Sequence, residues 1–413
     1  MIGRVHQGPI VEAPEPDVLI VGAGPAGLSA AIELGRDGRR VVIVERESAA
    51  GGVPRHCRHQ GFGLLDLHRP LSGPAYAARL VELARAQGAE IWLQTTARRH
   101  NDGDGLELVG PSGIAELAPA TTLLATGVRE RPRSARLVPG DRPAGIFTTG
   151  ELQQSVQLGL PIGRRAVVVG AEHVSFSALL TLRAAGVDTI AMVTEQPRQQ
   201  SLPGTAALAR AATGLHFVGS TRVVALHGRG RLESVEVQEL GSGQRRMFEA
   251  DTIVFTADWI PDAVLAQEAG AEIDPASLGP LVDAAGQTSV SGLFAAGNLV
   301  HPAETASIAA ISGRELGRQL VQGASAGPGL RVEADPPLSW VTPGWLGPSL
   351  PPTTIRLHSS YFSRARVLMI TQGEQELHRE RLRHVTPGRS LSVTGAWAAK
   401  IDLAAGPIRL RLV

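Results

Sequence analysis

A short apolar run, a glycine turn, a stretch of helical period and a second apolar run ending in an acid open the chain: DVLIVGAGPAGLSAAIELGRDGRRVVIVERE, residues 17–47. Alternation of this kind predicts one βαβ unit. The layout returns from Arg165 as AVVVGAEHVSFSALLTLRAAGVDTIAMVTE, so the architecture repeats although the sequence does not. Between the two, residues 91–95 and 106–108 alternate as strands, and TTLLATG (121–127) predicts a strand running into a glycine turn. LHFVGS, TRVVAL, SVEVQEL and DTIVFTA follow the second unit as strand candidates, so each large domain is expected to carry an added antiparallel sheet.

VSGLFAAGNLVHPAETASIAAISGRELG, residues 290–317, predicts a strand, a loop with Pro302 and a small-residue helix from about Ala303 that returns to the first domain. Around residues 323–352 the composition shifts to Gly, Pro and Ser; TTIRLHSS, ARVLMIT, QELHRERL, RSLSVT and PIRLRLV then read as short strands. The expected fold is α/β, with two Rossmann-like three-layer dinucleotide-binding domains and a small C-terminal all-β domain. The expected boundaries are a tail at 1–16, a first domain at 17–145 and 262–322, a second at 146–261, a linker at 323–352 and the β domain at 353–413.

Composition narrows the chemistry. The chain has 413 residues, 48 of them glycine, and 40 Lys plus Arg against 39 Asp plus Glu. This balance offers no field for nucleic acid or an anionic membrane. One cysteine, Cys57, excludes an internal disulfide, a CxxC pair and an all-cysteine iron–sulfur site within this chain, which fits a reducing cytoplasm. No apolar stretch of about 18 residues is present, so membrane insertion is not expected.

Gly22, Gly24 and Gly27 form GxGxxG after the first strand, and Glu45 ends the next strand at the spacing of a dinucleotide site. Gly22 allows the tight turn, Gly24 lets a diphosphate approach the backbone, and Gly27 lets helix and strand pack closely. Free amides and the positive helix end then receive phosphate charge. The Glu45 carboxylate accepts from ribose hydroxyls and repels a 2′-phosphate, which leaves FAD or NAD. In the second unit the turn is GAEHVS, where Glu172 stands at the position of diphosphate approach. Gly170 and Glu195 are the remaining candidates for NAD(P), and loss of that site in favour of a scaffold or docking role is the alternative.

VGAGPAGLSAA (21–31), the ATG turn (125–127) and GLFAAGN (292–298) resemble the two-dinucleotide-binding-domain flavoproteins, the thioredoxin-reductase-like superfamily, over about residues 17–320. The resemblance implies an FAD-dependent oxidoreductase with the flavin itself as the redox centre, no metal, and NAD(P)H as an open second cofactor. It implies cofactor contacts from Gly22, Ala23, Gly24, Pro25, Ala26, Gly27, Glu45, Arg46, Gly52, Val53, Arg55, Ala125, Thr126, Gly127, Gly297, Asn298 and Thr305. Asn298 replaces the usual Asp but keeps a hydrogen-bonding amide for the ribityl chain. The helix after Pro302 is expected to aim its N-terminus at the flavin.

GGVPRHCRHQGFGLLDLHRPLSGPAY (51–76) and NLVHPAETASIAAISGR (298–314) are similar to the flavoprotein subunits of heteromeric amine dehydrogenases: opine oxidases, dye-linked proline dehydrogenases and hydrogen cyanide synthase. This implies a small-molecule substrate and a second flavoprotein subunit. The group often carries an iron–sulfur module, and this chain departs there. A binding module without catalysis is the rival from another class. His56, Cys57 and His59 make a poor zinc set; Arg55 and Arg58 are expected to lower the Cys57 pKa, and residues 55–59 to line the flavin. His301 reads as a loop-packed histidine, with a flavin-facing role as the alternative.

Overall fold

The computed structural model describes residues 15–99, 105–323, 329–347 and 354–413. The expected tail lies outside these residues but for its last two. The chain forms two compact units: residues 1–55, 61–128 and 261–413 in one, residues 56–60 and 129–260 in the other. The chain passes into the second unit at 128–129, earlier than the break expected at 145. Residues 131–145 bond second-unit partners: Asp141 N–H donates to Leu226 O (2.8 Å) and Ala144 N–H to Gly230 O (2.8 Å).

The first unit is built on a parallel sheet ordered Leu293–Ala295, Thr122–Leu124, Val18–Val21, Val41–Glu45, Glu90–Leu93. Its inner strands are buried on both faces, as a sheet covered by helices requires. The strand order reverses at Val18–Val21, and the crevice of such a switch point is where ligands of this architecture bind. Helix Pro25–Arg36 follows the first strand, with Pro25 in its first turn.

The last helix, Ala306–Val321, packs on Pro25–Arg36 at a distance only small residues permit. A Cβ on Gly313 would sit 2.0 Å from Ala26 O, and one on Gly317 2.9 Å from Ala30 O. Glu33 links the pair through Arg318 (3.3 Å) and Arg314 (4.0 Å). This helix starts at Ala306, three residues later than its sequence predicts. Ala303 has φ +79°, outside helical geometry, and Thr305 caps the helix by accepting from Ile308 N–H at 3.4 Å.

The second unit repeats the plan with a parallel sheet ordered Ile146–Thr148, Thr252–Phe255, Arg165–Val169, Asp188–Val193, Phe217–Val218. Each unit also carries the antiparallel three-strand sheet expected of it: Thr96–Arg99, Leu106–Gly110, Gly113–Leu117 in the first and Thr221–His227, Ser234–Glu239, Arg245–Glu249 in the second. LHFVGS and DTIVFTA join the parallel sheet instead, as strands Phe217–Val218 and Thr252–Phe255, the latter buried at every position.

The C-terminal region is all β. One sheet runs Trp345–Leu346, Leu330–Ala334, Ile408–Leu412, Ser363–Gln372, Gln375–Val385, and a second runs Leu338–Thr342, Thr354–Ser359, Leu391–Thr394. Ile355, Leu357, Leu368, Ile370, Ile408 and Leu410 fill its core at 0% exposure. Three of these strands lie in the stretch expected to be linker. Pro336, Pro337 and Pro343 sit in turns and bends, while Leu338, Trp340, Trp345 and Leu346 are buried; residues 324–328 and 348–353 of that linker lie outside the described ones. Gly344 N–H donates to Val282 O (2.9 Å), so the β region belongs to the first unit.

Candidate functional site

The first βα turn is assembled from backbone. Gly22 adopts φ +107°, and a Cβ there would lie 2.5 Å from Ala125 O, so glycine is required. Gly27 is equally constrained, 2.1 Å from Gly22 O, which draws helix and strand together. Above Gly24 nothing among the described residues lies within 4 Å of where a Cβ would sit. Room therefore exists at the one position where a diphosphate has to approach.

Glu45, 8% exposed, completes the turn: one oxygen accepts from Ala23 N–H (3.0 Å), the other from Glu47 N–H (2.9 Å). A carboxylate has about four acceptor sites, so two remain for ribose hydroxyls. Gly51 N–H donates to Ala23 O (2.8 Å), and Gly52, at φ +62°, brings its Cα side against Gly24. Val53 is exposed, and Arg55 Nε donates to Gly52 O (3.3 Å) while its guanidinium meets Glu47 at 3.7 Å.

Ala125 N–H donates to Val21 O (2.8 Å), and Thr126 Oγ1 to Asp262 O (2.7 Å). Gly127 has φ +73°, and Arg46 reaches Asp262 at 3.4 Å. Gly297, at φ +72°, packs on Ala26. Asn298 Nδ2 donates to Glu304 O (3.1 Å) and Oδ1 accepts from Glu304 N–H (3.2 Å), which leaves a second amide hydrogen for the expected ribityl contact. Both ends of the amide thus close the loop ahead of the helix capped by Thr305. These residues converge around Gly24 and Ala26, and the open space, bare turn amides and satisfied Glu45 fit the diphosphate and sugar of a dinucleotide such as FAD.

A link that spacing did not reveal supports the same helix end. Tyr76, fully buried, donates its hydroxyl to Asp66 Oδ2 (2.6 Å) and approaches Ala306 O (3.4 Å), while Arg314 donates to Asp66 O (3.2 Å). Burial, then the Asp66 hydrogen bond, hold the Tyr76 phenol protonated far above its ordinary range. Tyrosine occurs twice in the chain; rarity was the one available signal.

Residues 56–60 fall in the second unit. His56 Nδ1 pairs with Gln157 Oε1 (2.7 Å), Cys57 Sγ with Gln153 Oε1 (3.3 Å) and His59 Nε2 with Ser177 Oγ (2.8 Å). The expected drop in the Cys57 pKa does not occur: burial pushes the thiol up to about 11. Desolvation outweighs the hydrogen bonds with Gln153 and Ser177 that lower it, which keeps the thiol protonated at neutral pH. His301 is packed, 2% exposed, with Nε2 on Ser312 Oγ (3.1 Å), and burial first, then Arg356, lower its pKa to about 3.

The turn of the second unit is filled by its own side chains. Gly170, at φ +122°, survives, but a Cβ there would meet Thr256 Oγ1 at 2.1 Å. Ser175 stands where the third glycine belongs, bonded to Thr256 Oγ1 (2.6 Å) and accepting from Glu172 N–H (3.1 Å). Glu172 occupies the N-cap of helix His173–Ala184. Burial pushes its carboxyl up to about 7, Arg136 pulls it down, and Asp258 and Glu130 add to the rise. Glu130 is raised by burial too, against N–H bonds from Gly150 (2.9 Å) and Ala257 (3.2 Å). Arg136 donates to Thr256 O (2.9 Å) and Ala257 O (2.7 Å). Glu195 is exposed past the strand end. This turn does not fit a dinucleotide diphosphate: the amide and the positive helix end are already engaged by internal acceptors.

Two parallel-sheet nucleotide folds, the first with an open glycine turn, define a protein of the two-dinucleotide-binding-domain class. The chain belongs to the pyridine nucleotide-disulphide oxidoreductase family, whose model matches residues 16–324. It is 30% identical to the alpha subunit of sarcosine oxidase from Rhizobium meliloti (strain 1021) over 54% of this chain and 24% of that one. It is 27% identical to an opine oxidase subunit of Agrobacterium tumefaciens (strain Ach5) over 68% and 61%, and 28% identical to a ferredoxin–NADP reductase of Salinispora tropica over 70% and 87%. The chain thus spans less than two thirds of the length of the two oxidase subunits. Among solved structures, T. acidophilum thioredoxin reductase superposes with a TM-score of 0.63 at 19% identity, over 75% of this chain and 99% of that one, which shows the fold. No helix among the described residues is long and apolar enough to cross a membrane.

Proposed function

We propose that the chain is an FAD-dependent oxidoreductase passing a hydride or two electrons through flavin held in the first unit. The observation that carries this reading is the space above Gly24, framed by Gly22, Gly27 and a Glu45 already fixed on Ala23 N–H. FAD, when bound, supplies the two-electron chemistry; the protein supplies orientation and electrostatics. The amides of Gly24, Ala26 and Gly27 receive the diphosphate, Glu45 the ribose, and Gly52 and Ala125 close the sides. Helix Ala306–Val321, pinned by Tyr76 and Asp66, directs its positive end at whatever negative charge gathers beside it. The purified chain incubated with FAD and desalted is expected to keep the flavin absorbance bands; a colourless product refutes the reading.

A second, narrower reading is favoured by the filled turn around Glu172 and Ser175. In it the chain is a non-autonomous flavoprotein subunit of a heteromeric amine or amino-acid dehydrogenase, and its electrons come from a partner subunit rather than from NAD(P)H. Likeness to two proteins named as oxidase subunits supports it. Anaerobic NADH and NADPH should then leave bound flavin unbleached, while co-expression with a partner subunit restores turnover on an amine; rapid bleaching by either nucleotide overturns it. The second unit would serve as scaffold or docking surface, and the compartment would be the cytoplasm.

A further inference from the structure

A polar cavity of about 220 Å³ opens in the first unit beside the C-terminal β region. One wall is a face of helix Ala306–Val321: Ser312, Glu315, Leu316 and Gln319 line it at positions i, i+3, i+4 and i+7, one helical stripe. The opposite wall comes from the β region through Pro343, Thr354 and Arg356. Alternation along Thr354–Ser359 explains why. Ile355 and Leu357 fill the β core, so Thr354 and Arg356 face the other way.

Two buried side-chain atoms have no hydrogen-bond partner here among the described residues, Gln319 Oε1 and His301 Nδ1. His301 is 2% exposed, and Ser312 engages only its other nitrogen. Unpartnered buried polar atoms are rare in folded proteins, and each calls for a missing partner. Arg356 makes no ion pair among the described residues. It acts at longer range on Glu304, whose carboxyl is raised by burial and lowered by a Ser390 hydrogen bond and by Arg356.

We infer that this cavity binds a small α-amino acid or close analogue: a carboxylate on the Arg356 guanidinium, a donating nitrogen on Gln319 Oε1, and an apolar side chain against Val300 and Leu316. The volume equals roughly seven waters, the scale of such a molecule. Inorganic phosphate fits worse, because Asp283 and Glu315 also line the cavity and repel an anion that brings no cationic nitrogen with it. The site lies behind the loop of the proposed cofactor. Ser312 Oγ bonds His301 and also accepts from Gly297 N–H (3.1 Å), so its occupant touches the residue that holds that loop. The inference does not depend on flavin binding, and it gives the β region a part in a site.

The test is calorimetric titration of the full chain, without flavin, using L-alanine, propionate and inorganic phosphate as probes. L-alanine should bind saturably and propionate more weakly. Arg356→Gln should weaken both at least about tenfold, and Gln319→Leu should weaken L-alanine about fivefold while leaving propionate unchanged. Saturable binding of phosphate alone, an L-alanine isotherm unchanged in both variants, or no saturable binding by any probe overturns the inference. If Arg356→Gln fails to melt cooperatively, Gln319→Leu and Arg356→Lys decide it by the same L-alanine isotherm.

Discussion

Two turns occupy equivalent places in the two nucleotide folds, after Val18–Val21 and after Arg165–Val169, and they treat the following helix in opposite ways. In the first, Gly24 leaves the helix end open and Glu45 is drawn aside by the amides of Ala23 and Glu47. In the second, Glu172 caps the helix and the Ser175–Thr256 pair replaces the glycine contact. A nucleotide fold therefore does not carry its ligand site with it. The site depends on whether the turn leaves its amides and positive helix end for an outside anion or satisfies them with side chains.

The largest effect should come from copying the second turn into the first. Gly24 has φ −82° and an open Cβ direction, so Gly24→Glu folds normally but places a carboxylate where the diphosphate approaches. FAD retained after desalting should fall at least about tenfold, with the melting temperature of the flavin-free chain unchanged. If Gly24→Glu retains FAD, the turn is not the site. Removing the sugar anchor is milder. Glu45→Gln exchanges one acceptor oxygen for a donor facing Ala23 or Glu47 N–H, costing about 1–3 kcal/mol. Denaturant unfolding and FAD affinity should both register it.

The second turn can be read through pH. The Glu172 carboxyl is raised in the fold to about 7 from its ordinary 4.5, chiefly by burial. Below the unfolded value both states are protonated; as pH rises through 7 the fold must accommodate a desolvated charge, so stability is lost on the alkaline side. Glu172→Gln should raise the melting temperature by a few degrees (about 2–4 °C per kcal/mol) at pH 8.5, and by nothing at pH 4.5. A uniform shift across that range contradicts the burial account. The smallest effect concerns Cys57: with its thiol at about 11, native protein at pH 8 should react with iodoacetamide much more slowly than denatured protein. Equal rates would place the thiol in solvent.

The first turn was legible because its evidence is local. Glycine spacing, the strand before it, the helix after it and Glu45 lie within the 28 residues from Val18 to Glu45. Half of the second turn was legible: Glu172 stands in the motif, whereas Thr256, its other occupant, lies 81 residues beyond Ser175. The same limit hid Tyr76–Asp66 against Ala306 and the bonding of His56, Cys57 and His59 to second-unit helices. Composition misread residues 330–346, since Pro336, Pro337 and Pro343 mark a linker while buried Trp340 and Trp345 mark strands. The helix start was missed because the positive φ of Ala303 leaves no trace in an Ala-rich sequence.

The contrast between the turns comes down to one titration. Wild-type chain and Gly24→Glu are each titrated with FAD under quenching of flavin fluorescence, with NADH as the parallel ligand. The account predicts saturable binding of about one FAD to the wild type, none to the variant, and no saturable NADH binding to either. FAD binding equally to both proteins, or to neither, would contradict it.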